Sequence, residues 1–592
     1  MKSALDWLDH RTGYKRLVHE SLFENVPGGA RWRYVWGSTL VFCFSVQVIT
    51  GLFLWLAYSP SSQTAWESVY YIQHEMWGGW FLRGLHHFTA QAMTVLLVVH
   101  LMQVVIDGAY KAPREINFWT GVLLLLLTLA LSLTGYLLPW DQKGFWATKV
   151  ATNIAAITPI IGPSLQKVVV GGTDYGHHTL TRFFALHAGV IPGGIIAFIV
   201  AHIYLFRKHG ITPKEPRRRP DAAFWPEQVL RDAVACLAVL LVVVFLVVRY
   251  HGAELGAPAD PSEQFSAARP EWYFLFLFEL LKYFPGGTEV WGAIVLPGLL
   301  MAVLAAMPFV GNWKLGHRFN VGFLWVMLAG VGVLTYRAVS ADRGNVNYIA
   351  AVAAAEHDAH RAVVLAKYAG IPPTGAVTLL RTDPLTQGPK LFAKNCASCH
   401  RYDGHDGLGG QPKDKIAASD LKGFASRPWL TGLLDPQKIH GPEYFGGTKF
   451  KDGKMVKFVH EDVAGFSTEQ KATLRQAVVA LSAEAKLVAQ RSGDQLDIVA
   501  IAEGRKALVG ATLGCADCHK FGEVGEAAGP DLTGYGSREW LVAFIGNSGH
   551  ERFYGERNDR MPAFAEEKRL GEPEIGLIAD WLRGEWYEHE RR

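Results

Sequence analysis

Four histidines lie in two apolar segments, with similar spacing in both. His86 and His100 are fourteen residues apart in RGLHHFTAQAMTVLLVVHLMQVV, and His187 and His202 are fifteen apart in RFFALHAGVIPGGIIAFIVAHIYLF. Each spacing returns its two side chains to one face of a helix, roughly 21 Å apart along the axis. Histidine is costly inside a membrane and usually has a partner there. The pattern predicts two stacked metal groups, with bis-histidine haem as the economical candidate and hydrogen-bonded core histidines as the alternative.

Glycine recurs at the same interval in two neighbouring apolar segments. Gly37 and Gly51 are fourteen residues apart in one segment, and Gly121 and Gly135 are fourteen apart in the other. Glycine leaves room where a flat macrocycle must approach the backbone. Close helix packing through glycine is the alternative explanation.

Two CxxCH boxes use four of the six cysteines. The residues are Cys396, Cys399 and His400 in the first box, and Cys515, Cys518 and His519 in the second. Such a box supplies two thioether links and a proximal histidine to a c-type haem. Zinc is the alternative, but neither copy has a third or fourth cysteine. The boxes predict two covalently bound haem c groups.

The boxes belong to an internal repeat. NCASCH is followed by DLKGFASRPWLTGLLDP and Met455, and GCADCH is followed by DLTGYGSREWLVAFIGN and Met561. Thioether ligation raises the reduction potential of a haem, so Met561, which precedes a proline, is predicted as a sixth ligand. Met455 corresponds to it by repeat position, with His440 and His460 as nearby rivals.

Length and composition indicate several domains with a membrane part. The chain has 592 residues, 50% of them hydrophobic, and a net charge of +4 that gives no reason to invoke nucleic acid. Seven segments approach the roughly 20 apolar residues that span a bilayer. They lie near 34–57, 81–106, 117–138, 183–206, 229–250, 290–310 and 321–340.

Charge in the loops predicts the orientation. Residues 1–33 are polar and basic and do not resemble a removable signal peptide. Basic residues gather on one side of the membrane, among them Arg31, Arg33, Lys111, Arg114, Arg207, Lys208, Lys214, Arg217, Arg218 and Arg219. By the positive-inside rule that side is cytoplasmic. The chain after residue 340 is then outside, where c-type haem is attached, and the predicted location is a bacterial cytoplasmic membrane.

The predicted fold is all-α, a seven-helix transmembrane haem-binding bundle followed by two small helical cytochrome c domains. The expected divisions are a four-helix di-haem domain at 1–210, a three-helix domain at 211–340, a linker helix at 341–385, and cytochrome c domains at 386–490 and 491–592. His357 and His360 in the linker are expected on an exposed face rather than at a metal.

Further motifs accompany the four histidines. They are Arg83 before His86, Arg182 before His187, Pro139-Trp140-Asp141 and Pro270-Glu271-Trp272-Tyr273. With these, residues 1–340 resemble cytochrome b of the quinol-oxidising cytochrome bc family. The fifteen-residue interval and the helix count are similar to the plastid-type branch.

The resemblance implies a function for these residues. Glu271 would accept a proton from quinol in a loop with Pro270, Trp272 and Tyr273, an ordinary loop carboxylate being the alternative. Trp140, Gly144 and Lys149 would line the opposite wall, Arg83 and Arg182 would contact the cofactors, and Arg207, Lys208 and Asp221 would lie near an inner quinone site or simply form a charged rim.

The resemblance also implies partners. One electron of quinol would go to a separate Rieske iron–sulfur subunit, because this chain has no Cys/His cluster for such a centre. The other would cross the membrane through an outer haem b on His86 and His187 and an inner one on His100 and His202. The c haems would pass the first electron to an external acceptor, in a homodimeric complex.

Two other functions are considered. A membrane subunit could exchange electrons between quinone and an external redox enzyme without bifurcation, although the Pro-Glu-Trp-Tyr loop disfavours this. A haem-based sensor or passive conduit would lack a quinone pocket. Plastid-type relatives carry one more haem on a cysteine at the start of the first helix, where this chain has Val35, so two b and two c haems are expected.

Overall fold

The computed structural model describes residues 2–212, 220–412, 414–558 and 560–588. Lys214, Arg217, Arg218 and Arg219, used above for orientation, lie outside the described residues. The chain divides into two compact units, Met1–Val377 and Thr378–Arg592. Helices dominate both units, which confirms the predicted all-α class. In the described ranges, the named strands are an antiparallel pair of two residues each, β1 (Asn25–Val26) and β2 (Ala222–Ala223).

Fifteen α-helices lie in the described residues of the first unit. They are α1 (Lys2–Thr12), α2 (Tyr14–Leu22), α3 (Val35–Trp55), α4 (Ala65–Tyr70), α5 (Gly79–Ile106), α6 (Glu115–Tyr136), α7 (Gln142–Ala156), α8 (Gly162–Val170), α9 (His177–Ala185), α10 (Ile191–His209), α11 (Glu227–Tyr250), α12 (Leu275–Leu281), α13 (Leu296–Val310), α14 (Gly316–Arg343) and α15 (Val346–Ala369). Short 3-10 or π turns extend several of them.

Seven helical stretches of the described chain are long and apolar enough to cross a membrane, as predicted. They are Trp32–Trp55, Gly79–Ile106, Glu115–Tyr136, His177–His209, Glu227–Tyr250, Trp291–Val310 and Gly316–Arg343. Helices suit this environment because each satisfies its own backbone hydrogen bonds. The protein is therefore a multi-pass membrane protein.

The first four spans form the part that positions the histidines. Helix α3 packs along α5, and α6 packs along α10. A shared core joins α3, α5 and α10, and includes the fully buried Cys43 together with Met93 and Ile195. Helix α11 covers the α3–α5 pair. The four histidines thus project from two packed helix pairs of one bundle.

The second unit contains both copies of the repeat. Its helices, counted from Val377, are α16 (Val377–Arg381), α17 (Pro384–Asn395), α18 (Arg427–Leu433), α19 (Lys454–Lys457), α20 (Thr468–Glu484), α21 (Arg491–Leu496), α22 (Ile498–Val509), α23 (Arg538–Gly546) and α24 (Glu572–Leu582). The repeat is visible in its helix caps, since Ser426 and Ser537 cap α18 and α23 by accepting from the backbone N–H groups of Trp429 and Trp540.

The helices of the second unit pack across the repeat boundary. Helix α17, before the first box, packs along α24 at the end of the second copy, and α20 packs along α22. The division expected near residue 490 therefore does not separate two self-contained sets of helices.

Candidate functional site

His86 and His187 face each other between the two helix pairs. Their ring centres are 6.2 Å apart and the rings are 69° from coplanar. A metal ion bonded to two imidazole nitrogens at roughly 2 Å each would separate ring centres by about 6 Å. The distance therefore fits one metal between the two rings.

The predicted glycines lie against the predicted histidines, one glycine to each. A Cβ atom on Gly51 would be 3.3 Å from His86 Cε1, and one on Gly135 only 2.5 Å from His187 Cε1. At the other level, a Cβ on Gly121 would be 3.2 Å from His202 Cε1, and one on Gly37 would be 3.8 Å from His100 Cε1. The absence of side chains at Gly51, Gly121 and Gly135 therefore lets three histidine rings lie close against the neighbouring helix backbone, and the use of these glycines to admit a flat cofactor stays a prediction.

A π-helical turn explains the unequal histidine spacing. Leu186–Val190 forms a π turn that contains His187 and continues directly into α10. Such a turn inserts one extra residue without a matching rise. Fifteen residues between His187 and His202 thus cover about the same distance as fourteen residues on α5.

Three threonines that sequence reasoning missed hold the histidine rings. Thr50 Oγ1 is 2.9 Å from His86 Nδ1, Thr120 Oγ1 is 3.1 Å from His202 Nδ1, and Thr134 Oγ1 is 3.3 Å from His187 Nδ1. Each threonine immediately precedes one of the glycines, so a repeated Thr-Gly pair was the available signal. Trp36 takes this place before Gly37, and His100 Nδ1 has no hydrogen-bond partner in the described part of the chain.

The two predicted arginines bond to backbone near the first histidine level. Arg83 Nη1 donates to Ala253 O at 2.7 Å and Nη2 donates to Glu254 O at 2.6 Å. Arg182 Nη1 donates to Val168 O. These contacts join the start of α5 to the loop after α11, and α9 to α8. A contact of either arginine with a cofactor stays a prediction.

Glu271 lies in a polar cluster beside α5. Gln91 Nε2 donates to its carboxylate at 3.3 Å, and Lys143 Nζ lies 4.0 Å from the other oxygen. Trp272 Nε1 donates to Gln91 Oε1 at 2.5 Å. The Glu271 side chain is 15% exposed, so it is partly buried as expected. Gln91, missed from the sequence, is one polar residue in the apolar run after His86.

The Pro139-Trp140-Asp141 segment is tied to the loop that follows α11. Asp141 is buried and accepts from Gly144 N at 2.8 Å and from Gly256 N at 3.0 Å. A Cβ on Gly144 would lie 2.4 Å from Tyr136 O, so only glycine fits there. Lys149 lies over the Trp146 ring, 4.5 Å from its centre. The arrangement gives the loop a fixed shape around the buried Trp140.

The polar residues expected near an inner quinone site bond to the N-terminal segment. Arg207 pairs with Glu24 at 3.0 Å and donates to Ser21. Asp221 accepts from Asn25 Nδ2 at 3.0 Å and from Gly28 N at 2.9 Å. These contacts attach residues 21–28 to the end of α10 and to the loop after it, and both a role at an inner quinone site and the charged-rim alternative stay predictions.

The two box histidines have matching environments in the second unit. His400 Nδ1 lies 2.9 Å from Ser419 O, and His519 Nδ1 lies 2.8 Å from Pro530 O. Burial lowers the pKa of both imidazoles, which favours the neutral form that binds iron. The backbone contact orients each ring and leaves Nε2 available as the ligand atom.

The two methionines predicted as sixth ligands lie in different surroundings. Ser548 Oγ and Asn558 Nδ2 both donate to the backbone oxygen of Met561, at 2.9 and 2.8 Å. Met455 is half-buried in an apolar cluster, whereas its rivals His440 and His460 are exposed, with ring centres 5.0 Å apart. Burial therefore favours Met455 over either histidine.

No group of three or more histidine, cysteine or acidic side chains suited to a metal ion occurs among the described residues. His357 and His360 are exposed on α15, as expected. The described part of the chain thus offers no separate ligand cluster beyond the paired histidines and the two boxes.

Comparison with protein families matches three consecutive regions. The family described as "Cytochrome b(N-terminal)/b6/petB" matches residues 91–258, "Cytochrome b(C-terminal)/b6/petD" matches residues 258–356, and "Cytochrome c" matches residues 385–470. The matches cover His187, His202, the Glu271 loop, the first box and the part of α5 that carries His100, whereas His86 lies before the first matched residue.

Individual relatives resemble the membrane part. The "Menaquinol:cytochrome c reductase cytochrome b subunit" of Bacillus subtilis is 39% identical over 36% of this chain and 98% of the relative. "Cytochrome b6" of Synechococcus elongatus is 35% identical over 36% of this chain and 99% of the relative. "Cytochrome b" of Rhodobacter capsulatus is 33% identical over 51% of this chain and 72% of the relative.

Proposed function

The chain belongs to the cytochrome b/b6 family and carries a fused cytochrome c region, and from this premise we propose that it is the catalytic subunit of a bifurcating quinol:cytochrome c oxidoreductase. The family places it in a bc-type electron-transfer complex. Division of the two quinol electrons, proton translocation and the partners named below are parts of the proposal.

The observation that carries the proposal is the position of Glu271. Gln91, which bonds to its carboxylate, lies on the same helix as His86 and only five residues further along. A proton acceptor therefore lies beside the histidine level expected to take the second electron. General-base transfer requires a partly buried carboxylate within hydrogen-bond reach of a quinol hydroxyl. Glu271, partly buried beside Gln91 and Lys143, is the carboxylate that we assign to this role.

Four histidines would hold two b haems, with Arg83 and Arg182 near the outer one, and each box with a methionine would hold one c haem. Haem supplies reversible one-electron transfer at iron. Threonines would orient three of the four histidine rings, and glycines let the rings lie close to the backbone. Two b and two c haems are the proposed content.

The remaining partners follow from this role. A separate Rieske subunit would accept the first electron, and the fused c haems would deliver it to an external acceptor. The N-terminus would be cytoplasmic and the c region periplasmic in a bacterial membrane, within a homodimeric complex. The Pro-Glu-Trp-Tyr loop, Pro270 to Tyr273, would form the outer quinol site.

An experiment without the Rieske partner distinguishes the bifurcating function from the non-bifurcating alternative. We expect quinol to leave the c haems oxidised in a complex stripped of that partner, because the first electron then has no acceptor. Restoring the partner should restore c-haem reduction, measured by visible spectroscopy. Rapid c-haem reduction by quinol without a Rieske partner would favour the non-bifurcating alternative.

Thr50→Val should raise the reduction potential of the outer haem b. Thr50 Oγ1 donates to Val46 O at 2.6 Å, so its lone pair can accept from His86 Nδ1–H. This bond makes the imidazole more basic and stabilises oxidised iron, and valine removes it. Redox titration of the b haems measures the change.

Thr128→Val is the matched control, since Thr128 makes the same backbone bond on α6 without a histidine contact. Equal potentials for the two variants would contradict the role assigned to Thr50.

A further inference from the structure

The second unit exchanges helices between the two copies of the repeat. The helix before the first box, α17, packs along α24, the last helix of the second copy. Gly388 makes the close contact, since a Cβ there would lie 2.2 Å from Trp581 Cβ. In the same way α22 packs along α20, where a Cβ on Gly504 would lie 2.0 Å from Gln476 O. Within the described residues, α17 does not pack along α20, the last helix of its own copy, and α22 does not pack along α24.

Side-chain packing around the first box follows this exchange. Phe392 and Ala397 share one buried cluster with Ile545, Phe564 and Ile578 of the second copy. Cys396 and Met561 both pack against that cluster. The Tyr402 ring also stacks on Trp581, with centres 4.3 Å apart. The first box is therefore surrounded by the methionine segment and last helix of the second copy.

The second box has the complementary surroundings. Cys515 packs against a cluster in which Leu508 and Leu513 meet Val478 and Leu481 of the first copy. Leu434, Phe466 and Leu474 border both this cluster and the one that contains Met455. The first copy thus supplies the apolar wall and the nearby methionine.

The two copies contact each other at the residues just before the serines that cap α18 and α23. Phe424 packs on Tyr535 with ring centres 5.3 Å apart, and these residues correspond in the repeat. A Cβ on Gly536 would lie 2.3 Å from Ala425 Cβ. Arg583 at the end of α24 donates to Gly536 O at 2.6 Å and to Ala485 O at the end of α20. Each copy keeps a bond of its own at this junction, as Asp420 N donates to Glu443 O and Asp531 N to Arg552 O.

We propose that each c haem is shared between the two copies, with His400 and Met561 as the axial pair of the first haem and His519 and Met455 as the pair of the second. This rests on the proposed haem c content of the two boxes. It changes the assignment of ligands, since repeat order alone would pair His400 with Met455 and His519 with Met561. A consequence is that the two c haems depend on one folded unit and cannot be separated into independent domains.

The test uses the full chain in its complex with one box disabled at a time. Cys515→Ala with Cys518→Ala leaves only the first c haem, and Cys396→Ala with Cys399→Ala leaves only the second. Met561→Leu and Met455→Leu are introduced separately into each chain, because leucine keeps the volume without the sulfur. The readout is the sulfur-to-iron charge-transfer absorption of the oxidised haem, together with its reduction potential.

We expect Met561→Leu to abolish that absorption and lower the potential in the chain with the first box, while Met455→Leu leaves both unchanged. The chain with the second box should show the reverse. If replacing the methionine of the same copy as the intact box removed the absorption instead, the proposed exchange of ligands would be wrong. Haem staining shows whether the remaining intact box carries a covalent haem. Its absence would overturn the proposed haem c content rather than the exchange of ligands.

A second measurement serves if a chain with one box does not fold. A specific protease site is inserted between α20 and α22 with both boxes intact, and the chain is cleaved. Shared haems require both fragments, so separating the fragments should remove the methionine signal from both haems. Fragments that separate and each keep the signal would contradict the proposal.

Discussion

Glu271→Gln is expected to slow quinol oxidation on the order of 10²-fold, the lower end for loss of a general base. Glutamine keeps the size of the side chain and can still contact Gln91, which lies 3.3 Å from the carboxylate. It cannot accept a proton from quinol. The b-haem and c-haem spectra should stay native, because no histidine contacts Glu271 among the bonds described. Steady-state quinol oxidation across pH measures the effect.

Glu67→Gln is the control for this substitution. Glu67 is an exposed carboxylate on α4, and the change removes the same charge away from the cluster. Its rate should equal that of the parent. An unchanged rate of quinol oxidation in the Glu271 variant would show that Glu271 is an ordinary loop carboxylate with no role as proton acceptor.

Gly135→Ala should remove about half of the haem b and none of the haem c. The added Cβ would lie 2.5 Å from His187 Cε1 and 3.0 Å from Nδ1, closer than side chains pack. His187 must then leave its position opposite His86, and the outer level loses a ligand. Pyridine haemochrome spectra should give equal b and c content in the parent and about half as much b as c in the variant.

Gly194→Ala provides the comparison on α10, where a Cβ would meet nothing within 4 Å. Alanine also favours a helix over glycine, so this variant should keep the parent content. Full haem b in the Gly135 variant would contradict the need for glycine beside His187. Three c haems for two b haems in the parent would show a missed covalent site at or near Val35.

The membrane part was largely predictable because two strong periodic signals coincide there. The length of the apolar segments predicted all seven spans, and the helical repeat predicted that His86 and His100 lie on one face of α5. The extra residue between His187 and His202 could be seen but not explained, since a π turn depends on local backbone geometry rather than residue type. Thr50 was not singled out because threonine in a membrane helix commonly bonds to its own backbone.

The second unit shows where pattern reasoning stops. The copies have the same local sequence pattern, so α17 can pack on the last helix of either copy with similar apolar contacts. Which pairing occurs depends on the whole set of long-range contacts, such as Gly388 on Trp581. A repeat in the sequence therefore predicts two haem-attachment boxes without predicting which residues complete each one.

The central claim is that the two electrons of quinol take different routes, and one measurement tests it most directly. The complex with its Rieske partner is supplied with quinol while the inner quinone site is blocked by an inhibitor, and an oxidant is then added. If the electrons divide, oxidation of the Rieske and c-haem route allows quinol to react, and the second electron transiently reduces the b haems. We predict a rise in b-haem reduction on addition of the oxidant. A monotonic oxidation of the b haems in the same experiment would contradict the account.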